Sequence, residues 1–338
     1  MKGTTGGLSM REFQYECPDG CFTYIKQGHG IEITGYQGLA GHVDIPGRLP
    51  CETESFEVTG ISKKVFLSKK YLRSIVVPAS VESVGDWAFA YCDALREVSF
   101  KGRKLQFGKD VFKECGGLRC VRFLPRGDAF VAKADECKLD EESSAAGNCV
   151  QQDSFNCDGV GALMAAAVTQ MESSYLLDAG ESGSREWLEK WDARMLVILK
   201  GADDDGYSKQ ILCGEEDYES ADLETYLRNS RRKKVRLLLL RLLYPMGLAA
   251  GLEMELKTYL LEHTKGCRTD ETWQVIRDEY GDRREFYELF ARLGCLTKEN
   301  APQVISETRE ENPEMKAYFL KYQADHFTEN DFFGKLLL

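Results

Sequence analysis

Apolar residues recur every 23 positions through the first third of the chain. The aromatic member of the repeat is Phe66, and it returns as Phe89 and Phe112. Other positions keep the same interval: Leu72, Leu95 and Leu118; Ile75, Val98 and Val121; Val77, Phe100 and Phe123; Gly85 and Gly108; Cys92 and Cys115. So regular a spacing of apolar and special residues indicates an internal repeat.

A fixed period of about 20–29 residues with leucine-like positions is typical of a leucine-rich solenoid. Each coil of a solenoid buries its apolar face only against the neighbouring coils, so the coils share one continuous core. The sequence therefore predicts that Phe66, Phe89 and Phe112 stack as a buried ladder. A fold of this kind offers a surface for binding, and nothing in it requires a catalytic site.

Successive side chains of a strand point to opposite sides, so the apolar positions of each repeat predict which side chains of its strand point into the core. In the strand from Ser74 to Val77, Ile75 and Val77 are expected to point into the core while Ser74 and Val76 point outward. The same rule applies to the next two repeats. The candidate partner-binding sheet face consists of Ser74, Val76, Glu97, Ser99, Cys120 and Arg122. Because this column is small, mixed and without an aromatic cluster, a merely solvated sheet face is the alternative interpretation.

Several short motifs also resemble BspA-like leucine-rich-repeat proteins. The motifs are Ile33-Thr34-Gly35-Tyr36, Val43-Asp44-Ile45-Pro46, Val58-Thr59-Gly60-Ile61, Ile75-Val76-Val77-Pro78, Val81, Val84-Gly85, Ala88-Phe89, Cys92 and Leu95. The likeness extends over residues 22–123, about a third of the chain. It has departures, since Lys69 stands where later repeats have cysteine, and Lys101 and Leu124 replace the proline at Pro78. The resemblance implies an interaction protein, often one on a bacterial cell surface.

The chain is predicted to be α+β with two domains. Residues 13–125 are assigned to the solenoid, which begins with a β cap built on the Gly-rich turn Gln27–Gly30. Residues 126–158 are assigned to an acidic linker, because residues 127–158 hold eight Asp or Glu and two Lys. Residues 159–338 are assigned to an all-α array of helical hairpins.

Helical periodicity predicts eight helices in that second part. They are Ala162–Val168, Ser184–Lys200, Asp222–Tyr244, Ala250–Glu262, Asp270–Tyr280, Arg283–Leu293, Lys298–Glu310 and Pro313–Tyr322. A weak repeat at an offset of 31 maps Tyr287 to Tyr318 and Leu289 to Leu320. With helix ends such as Leu293-Gly294-Cys295, this region is similar to ankyrin repeats, although it lacks their Thr-Pro-Leu-His turn.

Charge and hydropathy narrow the class of partner and the compartment. A net charge of −11 argues against a surface that neutralises nucleic-acid phosphates. The most apolar window, residues 235–252, is interrupted by Arg236, Arg241 and Pro245, so no membrane span is expected. Residues 1–15 lack the apolar core of a secretory signal. The expected location is therefore cytoplasmic, with a secreted or cell-surface location as the alternative if a leader was trimmed.

Twelve cysteines are scattered along the chain, and most are interpreted as reduced thiols. Cys92 and Cys115 fall at one position of neighbouring coils, about 4.8 Å apart. This separation permits a disulfide, but buried free thiols are the favoured interpretation because small, soft side chains suit a tight coil.

Other motifs resemble ligand-binding or metal-binding sites but lack residues that such sites require. Residues 102–109 have one residue too many between their glycines for a phosphate loop, and Asp203-Asp204-Asp205-Gly206 lacks acidic residues at both ends of a calcium loop. The three aspartates are interpreted instead as the first turn of a helix. Cys17 and Cys21 have no second ligand pair for zinc. The four histidines, His29, His42, His263 and His326, lie in separate regions outside any metal or nucleophile motif. No cofactor, metal or catalytic residue is therefore predicted.

The basic run Arg231–Lys234 precedes a leucine-rich stretch. Such a segment can lie on an anionic membrane. The favoured interpretation is a central buried helix with a solvated basic start, since its leucines leave no polar face.

Together these patterns predict a non-enzymatic scaffold for protein–protein interactions. Its partners would bind the sheet face or the helical concavity. Two alternatives stay open. One is a secreted or cell-surface adhesin, which the family resemblance implies. The other is an enzyme with a site at the junction between the two domains, because such junctions commonly form pockets.

Overall fold

The structure is a computed structural model that describes residues 11–124, 159–203, 220–308 and 312–327. The chain divides into two compact units, Met1–Ser182 and Gly183–Leu338. The first is a β-solenoid of about four turns and the second consists of helices, so the predicted fold class is confirmed.

Eleven strands lie in the described part of the first unit. They are β1 (Glu12–Cys17), β2 (Gly20–Gln27), β3 (Gly30–Gln37), β4 (His42–Asp44), β5 (Arg48–Cys51), β6 (Glu54–Ile61), β7 (Ser74–Val77), β8 (Ser83–Val84), β9 (Glu97–Phe100), β10 (Gln106–Phe107) and β11 (Cys120–Phe123). One sheet has seven strands in the order β1-β2-β3-β6-β8-β10, with β5 paired to β6. The other is a four-stranded parallel sheet in the order β11-β9-β7-β4.

The 23-residue repeat sets the register of the parallel sheet. Ser74 pairs with Glu97, and Glu97 pairs with Cys120, so equivalent residues of successive coils lie side by side. Ile75 and Val77 are buried, as the alternation predicts. The antiparallel strands β1 to β3 precede the first coil, and the hairpin around Gly28 is where the sequence predicts it. They pair through β3 with β6, which covers the edge of the first coil.

An aromatic ladder runs through the core of the solenoid. The rings of Phe66 and Phe89 lie 5.2 Å apart and those of Phe89 and Phe112 lie 5.5 Å apart, stacked and buried. Two more rings, Tyr36 and Phe22, extend the ladder into the N-terminal strands. The predicted stacking of the three phenylalanines is therefore confirmed.

Two thiols accompany the ladder. Cys92 donates to the carbonyl of Phe66 and Cys115 donates to the carbonyl of Phe89, each at 3.0 Å. Both cysteines are free, so the favoured interpretation of buried thiols holds against a bridge. Lys69, at the same position of the first repeat, instead places its ammonium 5.5 Å from the ring centre of Tyr36.

Gly85 recurs because the coils approach closely at that position. A Cβ added to it would lie 2.5 Å from the amide nitrogen of Lys63. We expect Gly85→Ala to lower the free energy of unfolding of the solenoid by about 1–3 kcal/mol, since backbone on the neighbouring coil must shift. Hydrogen exchange of peptides spanning residues 62–123 measures this loss. Gly116→Ala is the matched control, because nothing lies within 4 Å of its added Cβ, and a change equal to that of Gly85→Ala would contradict the explanation.

The helix α1 (Gly159–Thr169) packs on β11 of the last coil and belongs to the first unit. The sequence predicts that this helix opens the helical domain, which was assigned to residues 159–338. The structure groups it with the solenoid because its buried face, Leu163 to Ala167, covers the end of the coil stack. A single-turn 3-10 helix, Ser174–Leu176, follows it.

The second unit holds seven further helices in the described residues. They are α2 (Arg185–Leu199), α3 (Ser220–Leu243), α4 (Ala250–Glu262), α5 (Glu271–Glu279), α6 (Arg284–Arg292), α7 (Ala301–Glu307) and α8 (Pro313–Phe327). Each predicted helix is present, although several ends differ from the predicted ones. Ser184 caps α2 by accepting a hydrogen bond from the amide of Trp187 at 3.1 Å. Gly266 and Gly294 follow helices with φ of 88° and 80°, the left-handed conformation that ends a helix.

The helix α3 is central, since it contacts α2, α4, α5 and α6. Its leucines from Leu237 to Leu240 are buried, which confirms the central buried helix. The basic start is not solvated, contrary to the prediction. Arg231 bonds to Glu271 at 2.6 Å, and Arg232 and Arg236 both bond to Glu279.

The offset of 31 residues does not relate equivalent positions. It maps Leu289, which is 1 % exposed, onto Leu320, which is 50 % exposed. The predicted helices are present, and their ankyrin-like arrangement stays a prediction.

Candidate functional site

The candidate site is the outward face of the four-stranded sheet. Parallel pairing lines up two columns of outward side chains across its strands. One column is His42, Ser74, Glu97 and Cys120, and the other is Asp44, Val76, Ser99 and Arg122. All six predicted face residues lie in these columns.

The exposure of the side chains differs from one end of the face to the other. Ser74, Val76, Glu97 and Arg122 are half-buried, whereas Ser99 and Cys120 are buried. At the β9–β11 end an ion pair covers the surface, since Arg122 Nη2 lies 3.0 Å from Glu97 Oε1. Ser99 donates to the same carboxylate oxygen at 3.2 Å. Cys120 is disulfide-bonded. These residues largely satisfy one another, so little of this end is free to meet a partner.

The β4 end of the face is more open. His42 and Asp44 are exposed, and neither was among the predicted face residues. Val43 and Ile45 match Ile75 and Val77 at an offset of 32 instead of 23, which hid the strand from the 23-residue period. The antiparallel pair of β5 and β6 lies within the extra length. The signal that could have found it is Val43-Asp44-Ile45-Pro46, which has the apolar and proline positions of Ile75-Val76-Val77-Pro78.

The polar groups at this end form short local pairs. His42 Nδ1 lies 2.7 Å from Ser74 Oγ, and Asp44 lies 3.6 Å from the ammonium of Lys101. A serine beside a histidine is one element of nucleophilic catalysis, which also needs a group that orients the histidine. Among the described residues, no carboxylate bonds to His42.

A cavity of about 510 Å³ lies between the last coil and the segment after α1. Its lining includes Lys113, Glu114, Cys115, Thr169 and Glu172. Burial raises the pKa of Cys115 to about 12, which keeps its thiol protonated near neutral pH and therefore a poor nucleophile. The volume is that of a ligand pocket.

The remaining sequence motifs have structural explanations. A Cβ added to Gly102 would lie 2.8 Å from the carbonyl oxygen of Ala79, and one added to Gly108 would lie 2.5 Å from the amide nitrogen of Asp86. Both glycines therefore allow neighbouring coils to pack closely. Cys17 and Cys21 are free thiols. Within the described ranges, no three or more His, Cys, Asp or Glu side chains are grouped so that they could hold a metal ion.

Asp203 has a role that differs from the predicted helix turn. Its carboxylate accepts hydrogen bonds from Lys234 at 2.8 Å and from Tyr259 at 2.5 Å. Burial works to raise the pKa of Asp203, but these two hydrogen bonds outweigh it and lower the pKa. The rest of the aspartate run, residues 204–206, lies outside the described residues.

Among the helices of the described ranges, none has both the length and the apolar character needed to cross a membrane.

His263 ends α4 and hydrogen-bonds the carbonyl of Tyr259, as expected for a helix-end histidine.

Comparisons with known proteins agree with the repeat of the first unit. Residues 55–128 match the family model described as BspA type leucine rich repeat region (6 copies). The match confirms the resemblance of the N-terminal part, and it does not extend to the helices. No curated protein matches the chain.

Three solved structures illustrate the likeness. A leucine rich cell surface protein from Faecalibacterium prausnitzii is 23 % identical over 33 % of this chain and 32 % of its own, with a TM-score of 0.29. A leucine-rich repeat protein from Bacteroides capillosus is 20 % identical over 32 % of this chain and 97 % of its own, with a TM-score of 0.26. The leucine rich repeat protein of T. pallidum is 27 % identical over 31 % of this chain and 61 % of its own, with a TM-score of 0.23.

Proposed function

We propose that this chain is a non-enzymatic scaffold that binds a protein partner through the outward face of β4, β7, β9 and β11. The observation that carries the proposal is the register of these strands, which sets eight outward side chains in two straight columns. A stack of parallel coils holds such columns rigidly, and a rigid surface loses little conformational entropy when it binds.

The open end around His42, Asp44, Ser74 and Val76 is the proposed centre of this surface. Its polar groups are exposed or half-buried and pair only over short local distances. Val76 supplies an apolar position between Asp44 and Ser99 on the neighbouring strands. A small apolar patch with a polar surround is the usual composition of a transient protein interface.

A photo-crosslinking amino acid at position 74 tests the proposal in the source cells. We expect one or a few reproducible crosslinked proteins from position 74 and none of these from position 63. Lys63 is exposed on a loop of the same solenoid and provides the matched control. Equal crosslinking from both positions, or none from position 74, would count against the sheet face.

Val76→Glu is expected to weaken binding of the crosslinked partner roughly tenfold, or about 1.4 kcal/mol. Position 76 pairs with Asp44 on the neighbouring strand. The substitution replaces an apolar contact with a carboxylate that must lose water when the partner binds, which weakens the complex. Titration of the purified partner against the wild-type chain, Val76→Glu and Lys63→Glu measures the effect. An unchanged affinity for Val76→Glu, or an equal loss for Lys63→Glu, would contradict the assignment.

The absence of enzymatic activity is part of the same proposal. Its support is that Cys92, Cys115 and Cys295 are buried thiols whose pKa values burial raises to about 11, 12 and 12. Charged side chains of the helical unit such as Arg231, Arg232 and Lys234 are held in ion pairs.

The proposed compartment is the cytoplasm, with the cell surface as the alternative. Seven described cysteines are free and Cys120 is disulfide-bonded. Cys267 is exposed and serves as a reporter. We expect that a membrane-impermeant maleimide does not label Cys267 in intact cells and labels it after lysis. Labelling before lysis would place the scaffold on the surface.

A further inference from the structure

A row of arginines runs along one corner of the solenoid. Arg73, Arg96 and Arg119 are 23 residues apart and each immediately precedes a strand of the parallel sheet. The amide of Arg96 bonds to the carbonyl of Arg73 at 2.7 Å, and that of Arg119 bonds to the carbonyl of Arg96 at 2.9 Å. Neighbouring strands lie about 4.8 Å apart, so the three residues form one column beside the candidate face.

The first two members of this row carry uncompensated charge. Arg73 and Arg96 are exposed, and neither pairs with a carboxylate in the part of the chain that the structure describes. Like charges placed side by side on a sheet are destabilising. The chain has 55 acidic and 44 basic residues, so an unpaired cationic pair stands out against its surface. These two residues therefore form a local site for negative charge.

Apolar side chains lie near Arg73, the first arginine of the pair. Leu39 is 78 % exposed and Tyr71 is 64 % exposed. A Cβ added to Gly41 would lie 3.6 Å from the Tyr71 carbonyl oxygen and 3.8 Å from Arg73 Cδ, so Tyr71 and Arg73 flank the same glycine. A cavity of about 220 Å³ opens between Leu39 and Tyr71. It is smaller than the roughly 300–1,000 Å³ of small-molecule pockets, and it suits one anchoring side chain.

We propose that Leu39, Tyr71, Arg73 and Arg96 form a docking corner for an acidic peptide segment of a protein partner. One carboxylate of the segment contacts both guanidinium groups, and an adjacent apolar side chain enters the cavity between Leu39 and Tyr71. Arginine and tyrosine are the residue types that contribute most to protein interfaces. The inference rests on the proposed scaffold function and names the chemistry of the partner.

The exposed leucine and the cavity favour a peptide over a polyanionic carbohydrate. A sulfated polysaccharide would use the arginines and leave the apolar anchor without a role. The two arginines are too few for a nucleic-acid surface on a chain of net charge −11.

Selection of a random dodecapeptide library on the full chain tests the docking corner. We expect enriched peptides with Asp or Glu next to an apolar residue. Binding of these peptides is expected to weaken at least about tenfold in the double variant Arg73→Ala with Arg96→Ala, and to weaken as salt rises. Leu39→Ser is expected to reduce peptide binding as well, and heparin serves as the polyanion probe.

The matched control is the double variant Arg103→Ala with Lys104→Ala, which removes two exposed cations at the other end of β9. Equal weakening in this control, no enrichment of acidic peptides, or heparin binding that depends on the arginines but not on Leu39 overturns the docking corner. Loss of binding in Val76→Glu without loss in the arginine variant also overturns it, while leaving the sheet-face scaffold intact. Normal circular dichroism of each variant establishes that the exposed substitutions leave the fold unchanged.

Discussion

Arg241→Met is expected to lower the free energy of unfolding of the helical unit by about 3–5 kcal/mol. The side chain of Arg241 has no solvent exposure. Its guanidinium binds Asp192 through two bonds, with Nε 2.6 Å from Oδ1 and Nη2 3.0 Å from Oδ2. Removal leaves the largely buried carboxylate of Asp192 without its cation, and an unpaired buried charge is costly.

The same guanidinium also serves the end of α3. It donates to the carbonyl of Tyr244 at 2.7 Å and to that of Met246 at 2.9 Å, just after the helix ends at Leu243. Methionine fills the volume but donates to neither carbonyl, so both part-buried acceptors lose this hydrogen bond. The chain turn after α3 is therefore expected to loosen together with the contact to α2.

Fluorescence-detected denaturation of the full chain measures this effect, because Trp187, Trp191 and Trp273 are buried in the helical unit. Arg185→Met is the control, since the Arg185–Glu189 pair is largely exposed and such pairs contribute at most about 1 kcal/mol. The double variant Arg241→Met with Asp192→Leu is expected to recover part of the loss, because no buried charge remains unpaired. A single variant as stable as the control would show that the pair contributes little.

The coils were predictable because every repeat meets the same surroundings. Leu95 in one coil packs where Leu72 and Leu118 pack in its neighbours, so the apolar side chains repeat at one interval. The strand from Ser74 to Val77 is predicted to the residue for this reason. The period fails at β4, where the residues between β4 and β7 outnumber those between β7 and β9, and His42 and Asp44 were missed as a result.

Backbone conformation in the coil turns left no sign in the residue types. Lys64, Trp87 and Asp110 share one position of the repeat and have φ of 65°, 59° and 51°. The left-handed conformation costs a residue other than glycine about 1–2 kcal/mol, so composition alone predicts glycine there. The stacked hydrogen bonds from Lys64 to Asp86 and from Trp87 to Lys109 impose the conformation.

Long-range pairing explains why the basic run was misread. Arg232 and its partner Glu279 are 47 residues apart, and Lys234 and Asp203 are 31 apart. Helical periodicity gives the buried stripe of α3 but not the charges on the helices that pack against it. The same limit applies to Arg73 and Arg96. Their 23-residue spacing is visible in the sequence, whereas their lack of carboxylate partners among the described residues is a property of the fold.

Phe89→Ala is expected to lower the free energy of unfolding of the solenoid by about 3–5 kcal/mol. Phe89 is the central ring of the ladder, with Phe66 at 5.2 Å on one side and Phe112 at 5.5 Å on the other. Truncation removes two ring contacts and leaves a cavity that rigid coils cannot fill. Phe112 is a terminal ring with one neighbouring ring, so Phe112→Ala is expected to lower the free energy of unfolding by less.

Hydrogen exchange of coil peptides in the full chain separates this loss from events in the helical unit. We expect faster exchange in both coils that adjoin Phe89, because each relies on its neighbour to bury its apolar face. Tyr71→Ala is the control, since it removes an exposed aromatic ring from the same unit and should change stability by at most about 0.5 kcal/mol. Exchange confined to the coil that carries Phe89 would contradict a shared core, because independent coils would open one at a time.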